Sequence, residues 1–131
     1  MKDTRTLLST AAGVVDVSSP IVVGVVNATP DSFSDTGDRS TAGAIRTVHS
    51  HLEDGARIIE VGGESNVTNR PAVSAAEEIS RVTPVVEAAV AAGATVSIDT
   101  YKPEVAEAAL SAGAAIVNHS SGSDRRATLA V

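Results

Sequence analysis

Cysteine is absent from the 131 residues, and the aromatics are one Tyr and one Phe with no Trp. The first absence excludes a disulfide framework, a thiolate metal site and a cysteine nucleophile. The second removes the stacking rings on which single-stranded nucleic acid is held, and it leaves any core to Val, Ile, Leu and Ala. Basic residues are also short, 10 Lys and Arg against 16 Asp and Glu, for a net charge of −6. That balance argues against nucleic acid or an anionic membrane surface as partner, although it does not forbid a local phosphate site. No run approaches the ~18 apolar residues of a membrane span, and Met1 to Arg5 lead into no apolar signal segment. A soluble, cytoplasmic chain is the expectation.

Hydrophobic residues make up 43% of the chain and charged residues 20%, a globular composition. The length suits one modest domain. Four apolar runs, 21–26, 57–61, 95–98 and 115–117, are continuous and rich in β-branched residues. Such runs suit parallel strands covered on both faces. Helical stretches separate them. One starts near Ser40 and carries Ala44, Ile45, Val48 and Leu52 as a single stripe. The next opens on Ser74 with Glu77 three positions on, a capping box, and continues through Ile79, Val82, Val86 and Val90 as its buried face. Pro84 interrupts it and should bend the helix or remove a backbone bond. In the third, Pro103 fits the first helical position, with Val105, Ala108 and Ala109 on the packing side. Gly55-Ala56, Gly93-Ala94 and Gly113-Ala114 each close a helix just before a strand, a small repeat that marks successive βα units. Residues 1–19 form a lead-in and 20–131 the α/β domain. A doubly wound sheet and part of a barrel both accommodate this pattern.

Each apolar run ends in a polar or glycine-rich group: Asn27, then Gly62-Gly63-Glu64-Ser65, then Asp99-Thr100, then Asn118-His119. In parallel α/β folds these carboxyl ends share one rim, where ligand sites are built. Asn27, Asp99 and Asn118 should therefore converge. An Asp beside two amides offers acceptors and donors together, a set suited to a flat, nitrogen-rich heterocycle. The loop 28–39 places the only Phe, Phe33, in a polar segment with Asp35, which suits either a loop that covers a substrate or a turn-rich loop with one anchoring aromatic. His49 and His51 are expected to face solvent.

These residues resemble the dihydropteroate synthase family. Gly24-Val25-Val26-Asn27-Ala28-Thr29-Pro30-Asp31-Ser32-Phe33-Ser34-Asp35 is similar to its first signature, and Ile58-Ile59-Glu60-Val61-Gly62-Gly63-Glu64-Ser65 to its second. Val96-Ser97-Ile98-Asp99-Thr100 and Ile116-Val117-Asn118 stand in third and fourth place. The likeness covers about residues 20 to 122. Pterin-binding methyltransferases acting on methyltetrahydrofolate share the fold and match the first loop less closely. The resemblance implies a (β/α)8 barrel, represented here by about its first four βα units. It implies a transferase of folate biosynthesis that joins p-aminobenzoate to 6-hydroxymethyl-7,8-dihydropterin pyrophosphate, giving 7,8-dihydropteroate and pyrophosphate. Asn27 would hold Mg2+ and the pyrophosphate through its amide oxygen. Asp99, the catalytic candidate, and Asn118 would hydrogen-bond the pterin. A homodimer is a further expectation.

Three departures accompany the likeness. Glu60 stands where the family usually has Asp. Asn66 and Val67 fall where Thr and Arg are expected in the aminobenzoate loop, with Arg70-Pro71 just beyond. His119-Ser120-Ser121-Gly122 replaces the usual Asp-hydrophobic-Ser-Gly. The family's second pterin-binding Asp, its Ser-Arg-Lys-like segment and its terminal Arg-x-His fall outside these residues. The chain alone is therefore expected to be inactive. The alternative readings are a non-catalytic pterin-binding half-barrel or assembly module, and a relative of the pterin-binding methyltetrahydrofolate methyltransferases.

Overall fold

A computed structural model of the chain describes residues 4–29, 40–64 and 71–119. Strands β3 (Val22–Asn27), β4 (Ala56–Gly62), β5 (Thr95–Asp99) and β6 (Ile116–Asn118) form one parallel sheet in sequential order. Helices α1 (Thr41–Glu53), α2 (Ala75–Ala91) and α3 (Pro103–Ser111) connect them. The four apolar runs read from the sequence are these four strands, each within a residue or two. Before them, β1 (Leu7–Thr10) and β2 (Gly13–Asp16) pair as an antiparallel hairpin inside the lead-in, where the sequence had suggested no element.

Alternation along the strands divides the sheet into two faces. On the helix side, Val26, Ile59, Val61, Val96 and Ile98 pack against Val48, Val82, Val85, Val86, Ala89, Val105 and Ala109. On the other face, Val23 and Val25 are 44% and 53% exposed, beside Glu60 and Ser97 of the neighbouring strands. One apolar, helix-covered face and one concave face with polar members is the arrangement of a (β/α)8 barrel segment. No helix of the described residues is long and apolar enough to cross a membrane.

The helix termini follow local chemistry. Ser40 Oγ accepts from the Gly43 N–H at 3.1 Å, and Ser74 Oγ from the Glu77 N–H at 3.2 Å. The Glu77 carboxylate accepts from Arg81 Nε at 3.0 Å. Gly93 and Gly113 follow the caps of α2 and α3 with φ of 88° and 105°. The next residues close the reversal, Ala94 N–H to Ala89 O and Ala114 N–H to Ala109 O. This geometry is strained for any residue with a Cβ, so the Gly-Ala pairs of the repeat are explained. Helix α2 runs unbroken through Pro84.

Three expectations about faces are corrected. Val90 is exposed, because the buried stripe of α2 runs through Glu78, Val82, Val85, Val86 and Ala89. Val90 instead lies over the α3 terminus, where a Cβ on Gly113 would meet its Cγ2 at 3.1 Å. In α3 the fully buried alanines are Ala106 and Ala109, with Ala108 only half-buried. His51 is half-buried rather than solvent-facing. Its Nε2 pairs with the Val25 carbonyl at 3.1 Å, and its Cβ would lie 2.7 Å from a Cβ on Gly24. Glycine at position 24 lets the end of α1 settle directly on β3. His49 is exposed, as expected.

Candidate functional site

The parallel register aligns the strand ends residue by residue. Asn27 lies opposite Gly62, Gly62 opposite Asp99, and Asp99 opposite Asn118. All four share the parity of Val25, Glu60 and Ser97, so this row belongs to the concave face at its carboxyl rim. Neighbouring strands lie ~4.8 Å apart, which puts Asn27 roughly 10 Å from Asp99 and Asn118 beside it. The structure thus brings together the three residues singled out from the sequence.

Between Asn27 and Asp99 the row holds Gly62, which is buried and carries no side chain; a Cβ there would meet Asp99 at 3.9 Å. On either side of it are polar groups. Asp99 is half-buried, and its Oδ1 is buried with no hydrogen-bond partner among the described residues. A buried carboxylate oxygen without a donor costs about 1–3 kcal/mol, which a ligand N–H would recover.

Asn118 is oriented from below. Its Nδ2 donates to Glu60 Oε1 at 2.8 Å, and Ser97 Oγ lies 3.5 Å from the same oxygen. That bond fixes the orientation of the Asn118 amide and leaves its carbonyl oxygen as an acceptor. Glu60, noted in the sequence only as a departure, is therefore a support for Asn118. Beside it, His119 is half-buried, and its Nε2 is buried without a partner among the described residues.

Asn27 is exposed at the end of β3. The described residues contain no cluster of three or more His, Asp or Glu that would cage a metal. A single amide oxygen nonetheless fits Mg2+, which keeps several waters and is commonly held by one or two protein ligands plus substrate phosphates. Phe33 and Asp35 of the covering loop, and Asn66, Val67 and Arg70 of the aminobenzoate loop, lie outside the described residues.

A second polar cluster, not anticipated from the sequence, borders the rim. Lys102 Nζ contacts Glu64 Oε2 at 2.5 Å and Glu78 Oε2 at 2.7 Å. Burial by itself would lower the lysine's pKa. The hydrogen bonds to Glu64 and Glu78 outweigh that and hold it above its ordinary value. For Glu64, burial pushes upward, while hydrogen bonds from Lys102 and the Val73 N–H bring it below the ordinary carboxylate value. Both groups stay charged at neutral pH. Their separations of 38 and 24 residues leave no local sequence signal. A lysine immediately before Pro103, where a capping Ser or Asp is usual, was the one available hint.

A parallel βα unit series with a polar row at its carboxyl rim is the arrangement of the barrel-enzyme class, which builds its small-molecule sites at that rim. Comparison with known proteins identifies the family. The profile described as "Pterin binding enzyme" matches residues 23–131, and the chain belongs to that family. It is 48% identical over 99 residues to dihydropteroate synthase of Streptococcus pyogenes, covering 74% of this chain and 37% of that protein. Among solved structures, Xanthomonas albilineans dihydropteroate synthase with 4-aminobenzoic acid superposes with a TM-score of 0.77 at 41% identity, covering 86% of this chain and 42% of that one. The Thermus thermophilus enzyme in complex with 6HMPPP gives 0.76 at 33% identity, covering 95% and 44%. The chain thus spans less than half the length of these relatives, and its fold is part of their barrel.

Proposed function

We propose that the chain supplies the pterin-binding part of a dihydropteroate synthase, acting on 6-hydroxymethyl-7,8-dihydropterin pyrophosphate and p-aminobenzoate. The observation that carries this is the unpartnered buried Oδ1 of Asp99 next to an Asn118 amide already oriented by Glu60. That pair offers acceptors side by side, the complement of adjacent ring and amino N–H donors on a pterin.

In the reaction, the C–O bond to pyrophosphate breaks and leaves a cationic methylene conjugated to the ring. The arylamine nitrogen then bonds that carbon and loses a proton. Asp99 would hold the ring in place, and its negative charge would stabilise the cation as it forms, an effect strongest where water is excluded. Asn27, exposed at the same rim, would bind the pyrophosphate end. Mg2+, when bound there through the Asn27 amide oxygen, would neutralise the leaving group. Asn66, Val67 and Arg70 would shape the aminobenzoate subsite. Their departure from the family pattern supports an altered aminobenzoate or sulfonamide affinity. Among the described residues β3 pairs on one side only, and its Val22 and Val25 are exposed, which supports pairing with further strands or with a second copy in a homodimer. The same reading puts the reaction in the cytoplasm, a location that cell fractionation would check.

Calorimetric titration of the pterin pyrophosphate in Mg2+ tests the proposal, with Asp99→Ala and Asn118→Ala as comparisons. Asp99→Ala should bind roughly 5- to 150-fold more weakly, the loss of one buried polar partner, and Asn118→Ala, at an exposed residue, should bind more weakly by a smaller factor. Turnover with p-aminobenzoate in the same samples separates an enzyme from a pterin-binding module. Equal binding by wild type and Asp99→Ala would refute the site.

A further inference from the structure

Asn118 has a fixed backbone and a side chain that can turn. It pairs with Asp99 across the β5–β6 ladder, and its carbonyl accepts from the Thr100 N–H at 3.2 Å. What remains is rotation of the terminal amide. Its two orientations have nearly the same shape and opposite hydrogen-bonding character, an oxygen that accepts or an NH2 that donates. An asparagine by itself therefore adapts to either kind of ligand edge.

Glu60 removes that freedom. It stands in β4 opposite Ser97, and Ser97 stands opposite Ile116, two residues before Asn118 in β6. The Glu60 side chain thus crosses the width of β5 to bring Oε1 within 2.8 Å of Asn118 Nδ2. Ser97, itself buried, has its hydroxyl 3.5 Å from the same oxygen. A carboxylate only accepts, so the flipped amide would set oxygen against oxygen. Reach matters as well as charge. An aspartate, shorter by one C–C bond of ~1.5 Å, would leave the contact at roughly 4 Å, outside hydrogen-bond range. Glutamate, the departure noted at this position, is long enough to make the bond. With the nitrogen end held at Glu60, the end of the Asn118 amide left for a ligand is its oxygen. Beside it, Asp99 Oδ1 is a second acceptor, buried and unpartnered among the described residues.

We infer that Glu60 is a positioning residue that sets the polarity of the pterin site: by holding the Asn118 amide nitrogen, it makes the site select a ring edge bearing an exocyclic amine over one bearing an oxo group in the same place. The inference rests on the reading of Asp99 and Asn118 as pterin-binding residues, with a ring N–H on Asp99 and the amine on Asn118.

The test titrates two rings into the 131-residue chain by calorimetry: 6-hydroxymethyl-7,8-dihydropterin and its 2-oxo counterpart, 6-hydroxymethyl-7,8-dihydrolumazine. Wild type binds the amino ring more tightly. Glu60→Gln keeps the length but can either accept from Asn118 or donate to it, so the preference narrows by roughly tenfold, mostly through tighter binding of the oxo ring. If Glu60→Gln does not fold, Glu60→Ala frees the amide and narrows the preference in the same direction. Beside Asn118→Ala, Glu60→Gln has no further effect on the ratio, because the amide through which it acts is gone. A merely structural role weakens both rings alike and leaves the ratio unchanged, and that result overturns the inference. So does a Glu60→Gln effect that persists beside Asn118→Ala, or a wild type that binds both rings equally. A ligand-free readout separates this idea from its parent. Hydrogen exchange of the Asn118 side-chain amide, followed by NMR, quickens at least about fivefold in Glu60→Ala. A wild-type chain that binds neither ring sinks the parent reading. Exchange at Asn118 then judges the Glu60 contact by itself, and an unchanged rate refutes it.

Discussion

Gly62 and Gly63 are adjacent, and the same substitution should have opposite consequences at each. At Gly63 an added methyl would sit 2.7 Å from both Glu78 Cγ and Val82 Cγ1, closer than carbon atoms tolerate, and both neighbours are buried. Neither can swing away into solvent, so β4 and α2 must separate. Overpacking of this kind costs about 1–3 kcal/mol. In a chain of this size that corresponds to a fall in Tm of roughly 4–12 °C. At Gly62 the methyl would meet only Asp99, at 3.9 Å, an ordinary contact. Neither glycine has a positive φ, so backbone strain does not enter. Gly62 is the last residue of β4, so little change in stability is expected. The Gly62 methyl would lie in the row between Asn27 and Asp99, where the pterin is proposed to bind. Gly62→Ala should therefore fold as well as wild type and bind the pterin pyrophosphate poorly, whereas Gly63→Ala should lose stability first. Urea denaturation and calorimetry on both variants read the two effects separately. Equal stability changes in the two variants, or a Gly63→Ala chain as stable as wild type, would refute the packing argument.

Removing Glu60 tests the support beneath Asn118. Glu60→Ala should weaken pterin binding by about 1.5–3 kcal/mol at most, the range for a hydrogen bond to a charged group, with Tm nearly unchanged. Pterin affinity equal to wild type would show that Asn118 needs no orienting partner. The Lys102 cluster predicts a pH dependence. Glu64 is held below its ordinary value of 4.5, so its contribution is complete above that pH and fades as pH falls through the folded-state value. Lys102 is held above its ordinary 10.5, so its contribution persists below that pH and fades only as pH rises through the folded-state value. Between about pH 5.5 and 9.5 both are present in full. The Tm difference between wild type and Glu64→Gln should be flat across that window and shrink in more acidic buffer, and a gap that does not narrow argues against the linkage. Ser74→Ala should cost about 1 kcal/mol by removing the cap on Glu77 N–H, measurable as a shift in the urea midpoint.

What the sequence determined by itself was local or periodic. The β-branched runs marked β3 to β6, Ser40 and Ser74 marked helix starts, and the Gly-Ala pairs marked reversals, because each signal acts within a few residues of its cause. The convergence of Asn27, Asp99 and Asn118 was also legible, since parallel strands in sequential order must bring their carboxyl ends to one rim. The hairpin of β1 and β2 was not, because Ala11-Ala12 carries none of the usual turn chemistry and Leu7-Leu8 and Val14-Val15 do not alternate. Tertiary structure alone decided which side chains meet across elements. The close seat of α1 on Gly24 turned His51 inward, and the close seat of α2 on Gly63 brought Glu78 to Lys102 and Glu64. It also decided that Glu60 reaches Asn118, a pairing set by register across the intervening β5. Such contacts depend on how near two elements pack, and that distance is written in no single segment of the chain.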